Sequence, residues 1–389
     1  MADKKKNRSS SKQAPEGIRR AGSAEVYGVR TAGDATLAKL LAEALVASGP
    51  VERATHGFHT YPAGLHPDAA KLVIEACPGA VHDPFCGGGT VLIEAVLAGR
   101  ATSGTDLSPI AVLVARTRLA GPQWATPIRS AARRLAEKAQ LRVDVAVPEQ
   151  CERWYQPHVA QEIGRLRDGI MEEAPEVQPY LNGLLSSIVV KASFRKSDTS
   201  NQRVTHHRPP GTTAILFHKK ARELGRKLES LPTEINVRVR AGDARFIPPP
   251  EGTGLVLTSP PYPGVYDYLP MQQLRFGWLG IDARSELGAE VGSRRSFRAR
   301  GRAAAFRQWR DATNRWIETQ ASGLKTNGWM GIVVGDGLVG GKMVDALSPT
   351  VEAMRAAGME IVARASADRP DHARGSVRIE HLVLGQKRV

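Results

Sequence analysis

Cysteine is nearly missing. Three thiols, Cys77, Cys86 and Cys151, stand in 389 residues, and no two are spaced to hold one metal ion between them. That scarcity argues against a disulfide scaffold and against structural zinc, and no metal is expected. Long apolar runs are also lacking: none approaches the ~20 residues that span a bilayer, so no membrane partner is expected. The start, Met1 to Arg20, is charged without an apolar core segment, which is unlike a secretory signal, and a cytoplasmic location is expected. Acidic side chains are in short supply, 39 against 54 lysines and arginines, for a net charge of +15.

That charge names a class of partner. A positive field of this size concentrates polyanions before any specific contact forms, so nucleic acid is the natural one. The chain is long enough for one large core with a sizeable insertion. Residues 1–30 read as a disordered basic tail, with Lys4, Lys5, Lys6, Arg8, Lys12, Arg19 and Arg20 among serines. Leu37, Leu40, Leu41, Leu45 and Val46 have helical spacing, and order begins there. Residues 31–120 and 231–389 alternate strand and helix, the rhythm of a doubly wound, mostly parallel α/β sheet. Residues 121–230 between them are mainly helical by periodicity and read as an insertion that meets substrate. In the last block, strands near 359–363 and 378–384 are expected to pair antiparallel and close the sheet edge.

Asp83-Pro84-Phe85-Cys86-Gly87-Gly88-Gly89-Thr90 lies between a strand and a helix. Glycines there let backbone approach a ligand, and the helix start offers unpaired N–H groups. The dinucleotide spacing G-x-G-x-x-G is absent, because Leu92 stands five residues beyond Gly87. Asp106 ends the next strand, placed to accept from both hydroxyls of a ribose, and Asp243 ends a later one, placed to accept from an adenine amino group. Each acid alone also suits a helix cap or a salt bridge; three at successive strand ends suit a nucleoside.

Thr258-Ser259-Pro260-Pro261-Tyr262 follows an apolar strand where α/β sheets form their ligand crevice. An exocyclic amine has its lone pair delocalised into the ring and attacks poorly until acceptors hold its N–H bonds. Ser259 Oγ and the Pro260 carbonyl are candidate acceptors, Pro261 stiffens the turn, and Tyr262 is a candidate stacking surface for the base.

These segments resemble motifs I and IV of the amino-directed, S-adenosylmethionine-dependent DNA methyltransferases, in the serine form typical of cytosine-N4 enzymes. His56-Gly-Phe-His-Thr-Tyr-Pro-Ala resembles their motif X. The resemblance covers roughly residues 55–118 and 235–387. It implies a class I Rossmann-like methyltransferase fold of seven strands and S-adenosylmethionine as cofactor, with Phe58, His59, Tyr61, Pro62, Asp83, Phe85, Gly87, Asp106 and Asp243 as its contacts. It implies Ser259, Pro260, Pro261 and Tyr262 as the catalytic turn. The order X, I, IV and the intruding 121–230 segment depart from the usual arrangement of cytosine-N4 enzymes. Enzymes that methylate guanine N2 in tRNA or rRNA share the Asp-Pro-Phe-Cys-Gly start but usually carry Asp before the prolines. DNA is therefore preferred and RNA is the alternative. A non-catalytic nucleic-acid-binding protein of the same fold is a further alternative, against which the intact Asp83, Asp106, Ser259 and Tyr262 speak.

Two basic stretches are candidates for substrate: Lys191, Arg195, Arg203 and Arg208 in the insertion, and Arg294, Arg295 and Arg298 among aromatics further on. Cations with small hydroxyls suit phosphate contact, and a solvated loop is the competing reading for the first stretch. Phe297, Phe306 and Trp309 in the second suit either base stacking or packing on the sheet. Tyr268 and Trp278 are expected on the rim of the target site or in the core.

Overall fold

The computed structural model describes residues 27–62, 64–141, 143–371 and 376–388. The expected basic tail lies outside these as far as residue 26. The main sheet has eight strands: β1 (Tyr27–Gly33), β2 (Val81–Asp83), β3 (Thr102–Asp106), β4 (Val237–Ala241), β5 (Thr253–Thr258), β6 (Leu324–Gly335), β7 (Met359–Asp371) and β8 (Ser376–Lys387). Their spatial order is β4-β3-β2-β5-β6-β8-β7-β1. Strands β4 to β6 run parallel, and β8 is antiparallel to both β6 and β7. Without β1 this is the strand order of the class I Rossmann-like methyltransferase fold.

The eighth strand corrects the sequence reading twice. β1 pairs antiparallel with β7, Ala32 facing Arg364, so the sheet has eight strands and the β7–β8 pair does not form its edge. Part of the stretch assigned to a disordered tail is thus ordered. Gly33, at φ 98°, makes this possible: a Cβ there would lie 2.2 Å from the Val362 carbonyl oxygen.

β5 is buried at every position, as a strand covered on both faces must be. On one face, helices Ala35–Val46 and Pro67–Ala76 pack Leu41, Leu45, Val73 and Ile74 against Val81, Leu255 and Leu384. On the other, helix Arg302–Ser322 places Trp309, Trp316 and Ile317 against Val256, Ile332 and Val334. The insertion forms helices Ala125–Lys138, Pro157–Glu172, Gln178–Ala192 and Thr212–Leu228 around an apolar core that continues into Leu92, Ile93 and Val96 beside the sheet, with a two-stranded hairpin, Arg195–Ser197 with Ser200–Arg203. Buried Arg275, ion-paired with Asp198, ties that hairpin to the segment after Tyr262.

Candidate functional site

The order of strands reverses between β2 and β5, and the carboxyl ends of these two strands frame a crevice. Asp83 ends β2, Asp106 ends β3, and Ser259 follows β5. They meet in one cleft of about 940 Å³, counted with its solvent-open part, whose wall also carries Tyr61, Pro62, Phe85, Gly87, Asp243, Pro261 and Tyr268. Residues more than 200 apart in sequence are thus gathered where the sheet topology puts them.

The glycine turn is built around its carboxylates. Gly87, at φ 49°, donates its N–H to Asp106 Oδ2 at 2.8 Å, and Ser108 N–H donates to Oδ1 at 2.8 Å. Asp83 Oδ1 accepts from Phe85 N–H at 3.1 Å and from the Thr258 hydroxyl at 2.6 Å, joining the turn to the end of β5. Burial pushes Asp83 up to about 7, helped by the neighbouring Asp106 charge, and pushes Asp106 up to about 6. Both carboxyls therefore stand ready for a partner that favours their ionised form. Asp243 is gripped by the Arg245 guanidinium at 2.5 Å while still facing the cleft.

The charges facing this cleft are all of one sign. Among the described residues its lining includes Asp83, Asp106, Asp243 and Glu290 and no lysine, arginine or histidine, although the chain carries +15 overall; Arg245 and Arg295 pair with Asp243 and Glu290 from behind the wall, so the uncompensated pair is Asp83 and Asp106. Like charges repel at such range in a low dielectric, so the crevice disfavours a phosphate-bearing ligand and favours a cation.

Two of the expected cofactor contacts, Phe58 and His59, do not line this cleft. Phe58 is buried in the core of the insertion under Lys220, away from the cleft. His59, also buried, hydrogen-bonds the Thr60 carbonyl and the Ser186 hydroxyl, and burial holds its imidazole well below the usual range. Pro260 is buried, and its neighbours Ser259 and Pro261 line the cleft. Tyr61, from the same segment as Phe58, covers the glycine turn: its ring lies 3.4 Å from where a Cβ at Gly87 would stand, and its own Cβ lies 3.1 Å from where one at Gly88 would.

Arg118 escaped sequence reasoning. Its buried guanidinium donates to the carbonyls of Gly88 at 2.7 Å and His56 at 2.8 Å, and to that of His59. One side chain therefore ties the glycine turn to the His-Gly-Phe-His segment, without a carboxylate partner, and burial lowers its pKa to about 10. No local pattern marks it, because its partners lie 30 to 62 residues away.

The Ser-Pro-Pro-Tyr turn is anchored from helix Arg302–Ser322, whose Trp309 indole donates to the Pro261 carbonyl at 3.1 Å. Phe297 and Trp309 are buried, which settles them as packing residues; Trp278 is fully buried too. The Tyr262 hydroxyl donates to Glu380 at 2.9 Å and accepts from Ser259 Oγ at 3.4 Å. Beyond Ser259 a second recess of about 1400 Å³, also open to solvent, holds Tyr262, Tyr266, Arg378 and Glu380, and shares Ser259 and Tyr268 with the cleft.

The expected substrate arginines divide into two groups. Arg195 is buried and spends its guanidinium on the carbonyls of Ser200, Asp198 and Met271, so it builds the hairpin. Arg294 donates to the Val265 carbonyl, Arg295 pairs with Asp267 and Glu290, and Arg208 donates to the Lys191 carbonyl. Lys191, Arg203 and Arg298 are exposed, and so are Arg300, Arg302, Arg307 and Arg310 beside the Trp309 anchor.

No protein-family model matches the chain. A segment of 70 residues, 16% of this chain, is 34% identical to the type II methyltransferase M.MvaI of Kocuria varians, and it spans 15% of that protein's length. Among solved structures, TrmN from Thermus thermophilus aligns at TM-score 0.31 and 11% identity over 82% of this chain and 48% of that one. The rRNA methyltransferase AviRa from Streptomyces viridochromogenes aligns at TM-score 0.34 and 12% identity over 85% and 88%. At such scores the structural likeness carries no argument, and the fold is read from the strand order alone.

Proposed function

We propose that the chain transfers a methyl group from S-adenosylmethionine to an exocyclic amino nitrogen of a nucleic-acid base, cytosine N4 in DNA before other targets. The observation that carries this reading is a cleft lined by carboxylates and by no cation, with Asp83 and Asp106 lacking an arginine partner among the described residues, in a strongly basic chain, opening directly onto Ser259. S-adenosylmethionine is a nucleoside whose sulfonium and ammonium outweigh its one carboxylate, so its net positive charge matches that cleft, whereas phosphate-bearing dinucleotides are anions and do not. When bound it supplies an electrophilic methyl group. Asp106 would accept from the ribose hydroxyls, Asp83 would face the ammonium, and Asp243 would accept from the adenine amino group. Ser259 Oγ would accept an N–H of the target amine and hold its lone pair toward the methyl carbon, with in-line proximity supplying much of the acceleration.

The carboxyl pKa values set a pH dependence. The donor favours ionised carboxylates, while the free protein protonates Asp83 near 7 and Asp106 near 6. Binding then releases protons, and affinity must fall as pH falls. Calorimetric titration should show it declining by about tenfold per pH unit between 7 and 6 and more steeply below 6. A flat profile from pH 8 to 5 would remove both acids from the binding site.

The basic surface makes a second prediction. Neutralising Arg298, Arg302 and Arg307 together should lower the slope of log affinity for duplex DNA against log salt by about 2 to 3, through lost counterion release. An unchanged slope would assign them to another partner.

Incubation with methyl-labelled donor and separate DNA and RNA pools, followed by mass spectrometry of the nucleosides, tests the reading itself. N4-methylcytosine in DNA is expected. N2-methylguanosine in RNA would move the substrate to the runner-up, and no methylated nucleoside in any pool would overturn the proposal.

A further inference from the structure

Ser259 does not end at its own hydroxyl. Its Oγ–H points to the Tyr262 hydroxyl, which donates in turn to Glu380 Oε1, whose other oxygen accepts from Arg369 Nε at 3.1 Å. A carboxylate only accepts, so it fixes the direction of the whole chain. The single proton of Tyr262 goes to Glu380, the Tyr262 oxygen must accept, and the proton of Ser259 goes to Tyr262. What Ser259 then presents to its neighbouring space is lone pairs alone, which suit an amino group and reject a carbonyl oxygen.

The backbone is arranged to allow this chain. Glu380 on β8 faces Gly335 on β6 in the antiparallel pair. The Tyr262 ring occupies the space above Gly335, where a Cβ would come within 2.6 Å of its Cε2. A side chain on that one residue would displace the tyrosine from Glu380. Glu380 itself lines the recess beyond Ser259 and is only partly exposed. One oxygen of its carboxylate makes a cross-strand ion pair with Arg369 of β7, which leaves Oε1 to Tyr262.

We propose that Glu380 is the terminal proton acceptor of the methyl transfer, acting through Tyr262 and Ser259 and setting the polarity that makes Ser259 an obligate acceptor. The proposal rests on the amino-methyltransferase reading above. As the nitrogen–methyl bond forms and the sulfur–methyl bond breaks, the amine becomes cationic and must shed one proton. Its N–H bond breaks as a Ser259 O–H forms, the former Ser259 proton passes to Tyr262, and the former Tyr262 proton passes to Glu380. The amine leaves neutral, Glu380 is left as a carboxylic acid, and release of its proton to solvent resets the chain.

The test is Glu380→Gln, which keeps the shape and an acceptor oxygen for Tyr262 but cannot take the proton. At saturating donor and DNA, kcat should fall roughly a hundredfold while the affinity for donor and the KM for DNA stay near wild type. Tyr262→Phe, which removes one oxygen, should lose a similar factor, and the double variant should be no worse than either single one, since both cut the same chain. If Glu380→Gln also loses donor binding, and with it its value as a folded control, Tyr262→Phe decides alone. A wild-type kcat in the Gln variant, or in the Phe variant where that one decides, overturns the relay while leaving the proposed function standing. A wild-type chain that methylates no nucleic acid overturns the proposed function, and the relay with it.

Discussion

Ser259→Ala is expected to lower kcat by roughly thirty- to a thousandfold while leaving the affinity for S-adenosylmethionine nearly unchanged. A hydrogen bond that strengthens only as the nitrogen becomes pyramidal acts on the barrier and hardly on ground-state binding, and removing one such group costs about 2–4 kcal/mol. The split between kcat and donor affinity follows from position. Ser259 stands where the acidic cleft meets the outer recess, whereas the hydrogen bonds that order the glycine turn belong to Asp83 and Asp106. Single-turnover methylation of DNA with the donor in excess reads this directly. Full activity in the alanine variant would remove Ser259 from the chemistry, whichever nucleic acid is modified.

The opposite split is expected for Asp106→Ala. Its carboxylate would accept from two ribose hydroxyls, and it also holds Gly87 and Ser108 by their backbone N–H groups. A charge-assisted hydrogen bond contributes about 1.5–3 kcal/mol, so donor affinity should fall ten- to a hundredfold or somewhat more, because the glycine turn loosens as well. At saturating donor, kcat should largely recover. Calorimetry on a variant with an unaltered melting transition separates loss of the ligand contact from loss of fold. Unchanged affinity would place the ribose elsewhere.

The two halves of the site differ in how far the sequence announces them. Asp83, Gly87, Asp106, Ser259 and Tyr262 sit in short strand–turn segments whose residue types are required locally, by a left-handed glycine, by a strand end or by a proline-fixed turn, so their pattern is visible within a few positions. The convergence of Asp83, Gly87, Asp106 and Ser259 in one cleft, with Tyr262 in the recess beside it, follows from the parallel topology, which the alternation of strand and helix already implies.

Arg118, Gly335 and Glu380 are invisible by the same logic. Each takes its role from a partner 30 to 118 residues away, and a lone arginine or glutamate on an amphipathic element looks like any solvated charge. β1 was missed for a related reason. A short edge strand with two glycines, Gly28 and Gly33, exposed along its described side chains, offers too little alternation beyond Tyr27 and Val29 to mark a buried face, and only its pairing with β7 makes it a strand. The arginine stretch misled in part because burial is decided by tertiary contact. Arg195 and Arg294 spend donors on backbone carbonyls, while Arg298, Arg302 and Arg307, of the same composition, face solvent. The aromatics beside them, Phe297 on helix Arg294–Arg300 and Trp309 on helix Arg302–Ser322, go to the core because both join the apolar cluster built on Val256 of β5 and Ile332 and Val334 of β6.

The charge of the cleft carries the whole account, and one binding measurement tests it most directly. Titration of the purified chain at pH 8 with S-adenosylmethionine, and in parallel with NAD and ATP, should give saturable binding of the sulfonium compound, weakened in Asp106→Ala, and no competition from either phosphate compound. Absence of binding by S-adenosylmethionine, or its displacement by NAD or ATP at comparable concentration, would contradict the account.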